Sequence, residues 1–90
     1  MSLTYQAPAQ LSSQHSGQLL GVLDTMLQQD DTLVDFSQLL ELDSSTVALL
    51  LEWQRRAQRA QRKLTFIALP ETLKQLIQVY GVQDLLQIKP

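Results

Sequence analysis

Two short runs rich in β-branched and apolar residues, 32–36 (TLVDF) and 63–69 (KLTFIAL), stand between longer stretches whose apolar residues recur at helical spacing. Strands separated by helix-length segments do not pair as tight hairpins. They pair in parallel, through right-handed crossovers that lay the helices on the sheet. The pattern predicts an α/β fold: a small, mostly parallel or mixed sheet of three to four strands with amphipathic helices packed against it.

The remaining segments fill in that plan. Residues 3–11 (LTYQAPAQL) are weakly strand-like, and Pro8, which cannot donate a ladder hydrogen bond, marks an edge strand or an irregular one. Residues 12–16 supply helix-start side chains, and Leu19, Leu20, Val22, Leu23, Met26 and Leu27 place a first helix over 16–28. A turn at Gln29, Asp30 and Asp31 leads into the central strand at 32–36. The connection over 37–42 carries Leu39, Leu40 and Leu42, which are expected to pack rather than float. A second helix is expected from Ser44 or Ser45 to Arg62, apolar all round over 47–51 and polar beyond Trp53. Pro70 suits the first position of a third helix with a Leu73, Leu76, Ile77 and Tyr80 stripe, and Gly81 is its stop. A short last strand is expected at 86–88. No linker or repeat divides the chain, so residues 1–90 read as one domain.

Composition removes several function classes. A chain of 90 residues buries only about 60–65% of its unfolded surface, so its core is small and a partner can add to its stability. The net charge of −2 gives no global electrostatic case for nucleic acid. Fourteen glutamines, spread along the chain, read as polar surface. Without cysteine there is no disulfide, thiol catalysis or Cys-based metal site. His15 is the only histidine and has no ligand partners at metal spacing, so no metal is expected. No phosphate-cradling loop is present, Asp30 and Asp31 read as turn residues, and no cofactor or catalytic centre is expected. No apolar run approaches the ~20 residues that cross a bilayer, and the opening MSLT is not a secretory leader. The expectation is a soluble, cytoplasmic protein that is not an enzyme.

Unusual chemistry concentrates where the second helix begins, at Asp43, Ser44, Ser45 and Thr46. One of these residues caps the helix, a role worth about 1 kcal/mol. The same junction gathers backbone N–H groups and hydroxyls at the positive end of a helix, which suits a docking site. Further along, either Leu49, Trp53 and Ala60 or Val47, Leu50, Gln54 and Gln58 can face the core. Tryptophan on an outer stripe anchors interfaces, so Leu49 and Trp53 join the four junction residues as candidate partner-binding residues. Arg55, Arg56, Arg59, Arg62 and Lys63 hold five of the seven basic residues. Such a run is most often a solvated helix face. The alternative is contact with an acidic partner or lipid headgroups, at up to about 1 kcal/mol per residue near an anionic membrane.

With the order of elements in place, LDSSTVALLL (42–51), behind a strand and a short connection, resembles the signature of the STAS domain family. There an acidic residue precedes a serine or threonine at a helix start. KLTFIALPETLKQLIQVYGVQDLL (63–86) is similar to the family's strand, loop, amphipathic helix and closing Gly-hydrophobic-x-x-Leu element. The resemblance is best over 32–86, with 1–15 irregular or an edge strand. Within the family, the ALLL run at 48–51, the LIQVY helix end at 76–80 and the short length resemble the STAS subunits of phospholipid-transport ABC complexes. This implies a non-catalytic subunit, cytoplasmic and peripheral to the inner membrane through its complex. It would bind the cytoplasmic ATPase subunit directly and the permease indirectly, and support assembly and activity. The alternative implied is an anti-sigma-factor antagonist switched by phosphorylation of Ser44, which matches the family's modifiable hydroxyl. A phosphate there would lie beside Asp43 and expel a partner. The family usually has glycine where this chain has Thr46. A β-branched residue narrows the approach to the helix start, which implies protein contact rather than nucleotide binding.

Overall fold

The computed structural model describes residues 2–11 and 16–89, with side chains in the second segment described from Gln18 onward. Residues 12–15, including His15 and most of the expected helix-start side chains, lie outside the described residues. In chain order the elements are β1 (Leu3–Gln6), β2 (Gln10–Leu11), α1 (Ser16–Gln29), β3 (Thr32–Asp35), β4 (Glu41–Leu42), α2 (Ser44–Ala60), β5 (Leu64–Ile67) and α3 (Glu71–Tyr80). A single 3-10 turn, Gln83–Leu85, follows.

The main sheet has the order β1-β3-β5 and is parallel throughout. β1 is an edge strand and β3 the central one, as the sequence pattern predicts. The register aligns Leu3, Thr32 and Leu64, then Tyr5, Val34 and Phe66, across the three strands. Alternation of side chains puts these two rows on one face, where Thr32, Val34, Leu64 and Phe66 are buried. The intervening rows, Thr4 with Leu33 and Thr65, and Gln6 with Asp35 and Ile67, are half-buried or exposed. The expected last strand is present as a single parallel bridge. Ile88 lies beside Phe66, whose N–H donates to the Gln87 carbonyl at 2.8 Å, while Lys89 N–H donates to the Phe66 carbonyl at 2.9 Å. β2 and β4 form a separate two-residue parallel pair.

A chain of four aromatic rings fixes how α2 sits on the sheet. Trp53 meets Tyr5 edge-on at 6.5 Å and Phe66 at 6.4 Å, and Phe66 lies 5.8 Å from Phe36. Leu19, Leu23 and Leu27 form the buried stripe of α1, and Leu73 and Ile77 that of α3. Tyr80, expected to continue the α3 stripe, is instead 53% exposed. In the connection before α2, Leu39 is buried and Leu42 half-buried, but Leu40 is 82% exposed and does not pack as expected. Its N–H is held by the Ala9 carbonyl at 2.8 Å, so the backbone is pinned while the side chain points outward.

Helix ends are closed by backbone geometry. Gly81 takes φ 67° after α3, and Gln61 takes φ 58° after α2. Each allows the crossed pair of backbone hydrogen bonds that satisfies the last carbonyls of a helix. Pro70 sits one position earlier than expected, at the cap of α3 rather than in its first turn. Ala68, between β5 and α3, also has φ 58°. A side chain with a Cβ pays roughly 1–2 kcal/mol for this conformation and glycine pays none, offset by roughly 0.5–1 kcal/mol for glycine's larger chain entropy. Ala68→Gly is therefore expected to raise the unfolding free energy by roughly 0.5–1 kcal/mol, read as a higher urea midpoint with unchanged slope.

Candidate functional site

Asp43 is the N-cap of α2. Its carboxylate accepts from the Ser45 N–H at 2.9 Å and from the Ser45 hydroxyl, and the Asp43 N–H donates back to Thr46 Oγ1 at 3.2 Å. The reciprocal bonds form a capping box, with threonine in the position usually held by Glu or Gln. Hydrogen bonding from Ser45 holds the Asp43 carboxyl below the usual carboxylate range. A depressed folded-state pKa contributes stability that is present above the unfolded-state value and lost as pH falls through the folded one. Replacing Asp43 with Asn keeps a capping oxygen but removes the titration. The acid limb of a stability-versus-pH profile is expected to flatten in Asp43→Asn, and an unchanged limb would refute the assignment.

Thr46 has a second role that its position in the sequence does not reveal. It is buried, and its hydroxyl donates to the Leu11 carbonyl at 2.7 Å. The threonine thus ties the start of α2 to β2. It is not available to a partner, which corrects its place among the contact residues. Thr46→Val keeps the shape but leaves a buried carbonyl without its donor, at an expected cost of about 1–3 kcal/mol in urea unfolding.

Leu49 and Trp53 are also corrected. Both are buried in the core, with Trp53 fully enclosed, because α2 turns the face formed by Thr46, Leu50, Trp53 and Ala57 onto the sheet and α1. The opposite ridge is formed by Ser44, Ala48, Leu51, Arg55 and Gln58, spaced by three or four residues; Leu51 is half-buried and the other four are exposed. Ser44, in the first helical position, and the half-buried Ser45 remain at the surface beside Asp43.

This ridge forms one wall of a shallow groove of about 450 Å³. Ser44, Ser45, Val47, Ala48 and Leu51 line it from α2, and Tyr80 and Val82 from the end of α3 and the chain beyond. Val79 and Leu85, nearby in sequence, are 79% and 63% exposed. Ala48, Leu51, Tyr80 and Val82 line this candidate surface and are not among the residues singled out from the sequence. The available signal was the Ser44, Ala48, Leu51 spacing, which puts these residues on the same side as the candidate hydroxyl.

The basic run divides into two kinds of residue. Arg56 bonds Asp24 on α1 and Glu52 on its own helix, the latter at 2.9 Å. Arg62 donates to the carbonyls of Leu27 at 2.9 Å and Gln28 at 3.2 Å, closing the end of α1. These two fasten α1 to α2. Arg55 reaches Glu52 at 3.3 Å while remaining largely exposed, and Arg59 and Lys63 form no ion pair among the described residues. No cluster of His, Cys, Asp or Glu suited to a metal occurs among the described residues. No described helix is long and apolar enough to cross a membrane.

Comparison with known proteins adds three findings. The family described as "Mlab, STAS domain" matches residues 8–87. A comparison with curated proteins found no match. Among solved structures, the unphosphorylated anti-sigma factor antagonist SpoIIAA superposes with a TM-score of 0.75 at 17% identity, over 99% of this chain and 80% of that one. A STAS domain protein from Planctomyces limnophilus gives a TM-score of 0.76 at 16% identity, over 94% and 79%. The phosphorylated form of SpoIIAA, from Bacillus, gives 0.70 at 17%, over 99% and 83%. At these identities the structures share the fold.

Proposed function

Because the chain belongs to the STAS domain family, in its MlaB-like branch, we propose that it is a non-catalytic subunit docking on the ATPase of an Mla-type phospholipid-transport ABC complex. In this reading it sits at the cytoplasmic side of the inner membrane through its complex and supports assembly and ATPase turnover. It contributes to phospholipid transport and outer-membrane lipid asymmetry without binding a cofactor.

The observation that carries the reading is the groove beside the capped start of α2. It has the Ser44 and Ser45 hydroxyls at one end and Ala48, Leu51, Tyr80 and Val82 along its length. An apolar strip rimmed by polar groups is the form of a protein-binding surface. Thr46 and Asp43 hold the end of α2 in place, so the surface is pre-organised and little entropy is lost on docking. The test is complex yield and ATPase turnover in a reconstituted transporter with and without this chain. Loss of both on omission is expected, and unchanged values would end the proposal.

A second reading, an anti-sigma-factor antagonist switched by phosphorylation, is favoured by one feature: Ser44 is exposed in the first position of α2. Intact mass after incubation with candidate kinases separates the two, since docking on a transporter requires no added phosphate.

A further inference from the structure

Leu51 belongs to two depressions at once. Above it lies the apolar groove; below it a trough of about 660 Å³ runs between α2 and the C-terminal segment. The trough's remaining walls include Arg55, Arg62, Lys63 and Leu85, with Asp84 as the one carboxylate among the described lining residues. We propose that this trough receives an acidic segment of the protein partner, entered beside Leu51 and Leu85 and held by the three cations. The inference rests on the docking role proposed above for the outer face of α2.

Three features of the trough point to carboxylates. Among the described lining residues, cations outnumber carboxylates three to one, in a chain whose net charge is −2. The Arg62 guanidinium is already oriented by the Leu27 and Gln28 carbonyls, so it is fixed in place. Arg55 is bound only by an exposed pair with Glu52, the kind worth little and readily exchanged, and Lys63 has no ion pair among the described residues. The shape favours a chain segment over a lipid surface. These cations line a concave trough that also contains Asp84, whereas a flat anionic membrane is met by a protruding basic face. The apolar groove continues past Leu51, so one segment can place a bulky residue above it and acidic ones below.

A random twelve-residue phage-display library selected against the immobilised full chain tests this without knowledge of the partner. Enriched peptides are expected to carry two or more Asp or Glu residues beside a bulky apolar residue. Synthetic copies should lose about tenfold in affinity on the double substitution Arg55→Glu and Lys63→Glu, and weaken as salt is raised. Both positions are on the surface, and urea unfolding of the variant verifies that the fold is kept. Selection without acidic enrichment, or affinity indifferent to charge reversal and salt, overturns the inference. Co-sedimentation with phosphatidylglycerol vesicles that the same reversal abolishes also overturns it, since the cations would then serve a lipid surface. Apolar peptides blocked by Ala48→Arg but indifferent to charge reversal would leave the docking role standing and remove only the acidic segment. The absence of any enriched peptide removes the acidic segment as well, while the reconstituted ATPase measurement reads the docking role separately.

Discussion

Ala48→Arg is expected to weaken the chain's hold on the ATPase proposed as its partner by about thirtyfold or more, the loss that accompanies removal of a contact worth about 2 kcal/mol. Ala48 lies on the exposed ridge of α2, midway between Ser44 and Leu51, and lines the groove that ends at Tyr80 and Val82. An arginine there fills the groove and would bury an unpaired charge when a partner closes over it. The substitution should leave the fold untouched, because arginine is a good helix former and the side chain points to water. The measurement is equilibrium binding to the purified ATPase beside thermal unfolding of the free chain. Unchanged affinity with an unchanged melting temperature would place the docking surface elsewhere.

The second large effect is on stability. Trp53→Ala is expected to cost about 3–5 kcal/mol, a large part of the roughly 5–15 kcal/mol that separates folded from unfolded states in a typical domain. The indole is fully buried and touches rings from two strands, Tyr5 on β1 and Phe66 on β5. Removing it opens a cavity between α2 and the sheet. Trp53 Nε1 has no hydrogen-bond partner among the described residues, while the indole surface packs against both rings. Trp53→Phe discards that orphan donor while keeping an aromatic ring, and should cost much less than the alanine change. Equal losses for the two variants in urea unfolding would show that the site does not collapse around a smaller ring.

The alternation of elements was legible because each has its own period. β3 and β5 stand out as short β-branched runs, and the stripes of α1 and α3 recur at helical spacing. The face of α2 was not legible. Over 47–51 it is apolar on every side, so periodicity cannot choose between its stripes, and the choice is made by where Tyr5, Phe36 and Phe66 fall once the sheet has formed. The part played by Thr46 was hidden for a related reason. Its hydroxyl partner is the Leu11 carbonyl of β2, a two-residue strand too short to have a sequence pattern. Ser44 and Ser45 were found as surface hydroxyls because a helix start is a local signal. Tyr80 and Val82 were missed because only folding brings the end of α3 beside α2.

The lane that residues 87–89 add beside Phe66 has a consequence for synthesis. A domain emerging from the ribosome acquires its structure from the N-terminal side, so β1, β3 and β5 can associate before that lane exists. Until residues 87–89 emerge, Phe66 offers its N–H and C=O to any neighbouring strand, and nascent chains on one messenger are close neighbours. The Gln54 side chain, which donates to the Leu64 carbonyl and accepts from the Gln87 N–H, ties that segment to β5 once it is in place. A chain shortened before Gln87 would retain its rings, its caps and the groove beside α2, yet leave one side of the sheet as a template for aggregation.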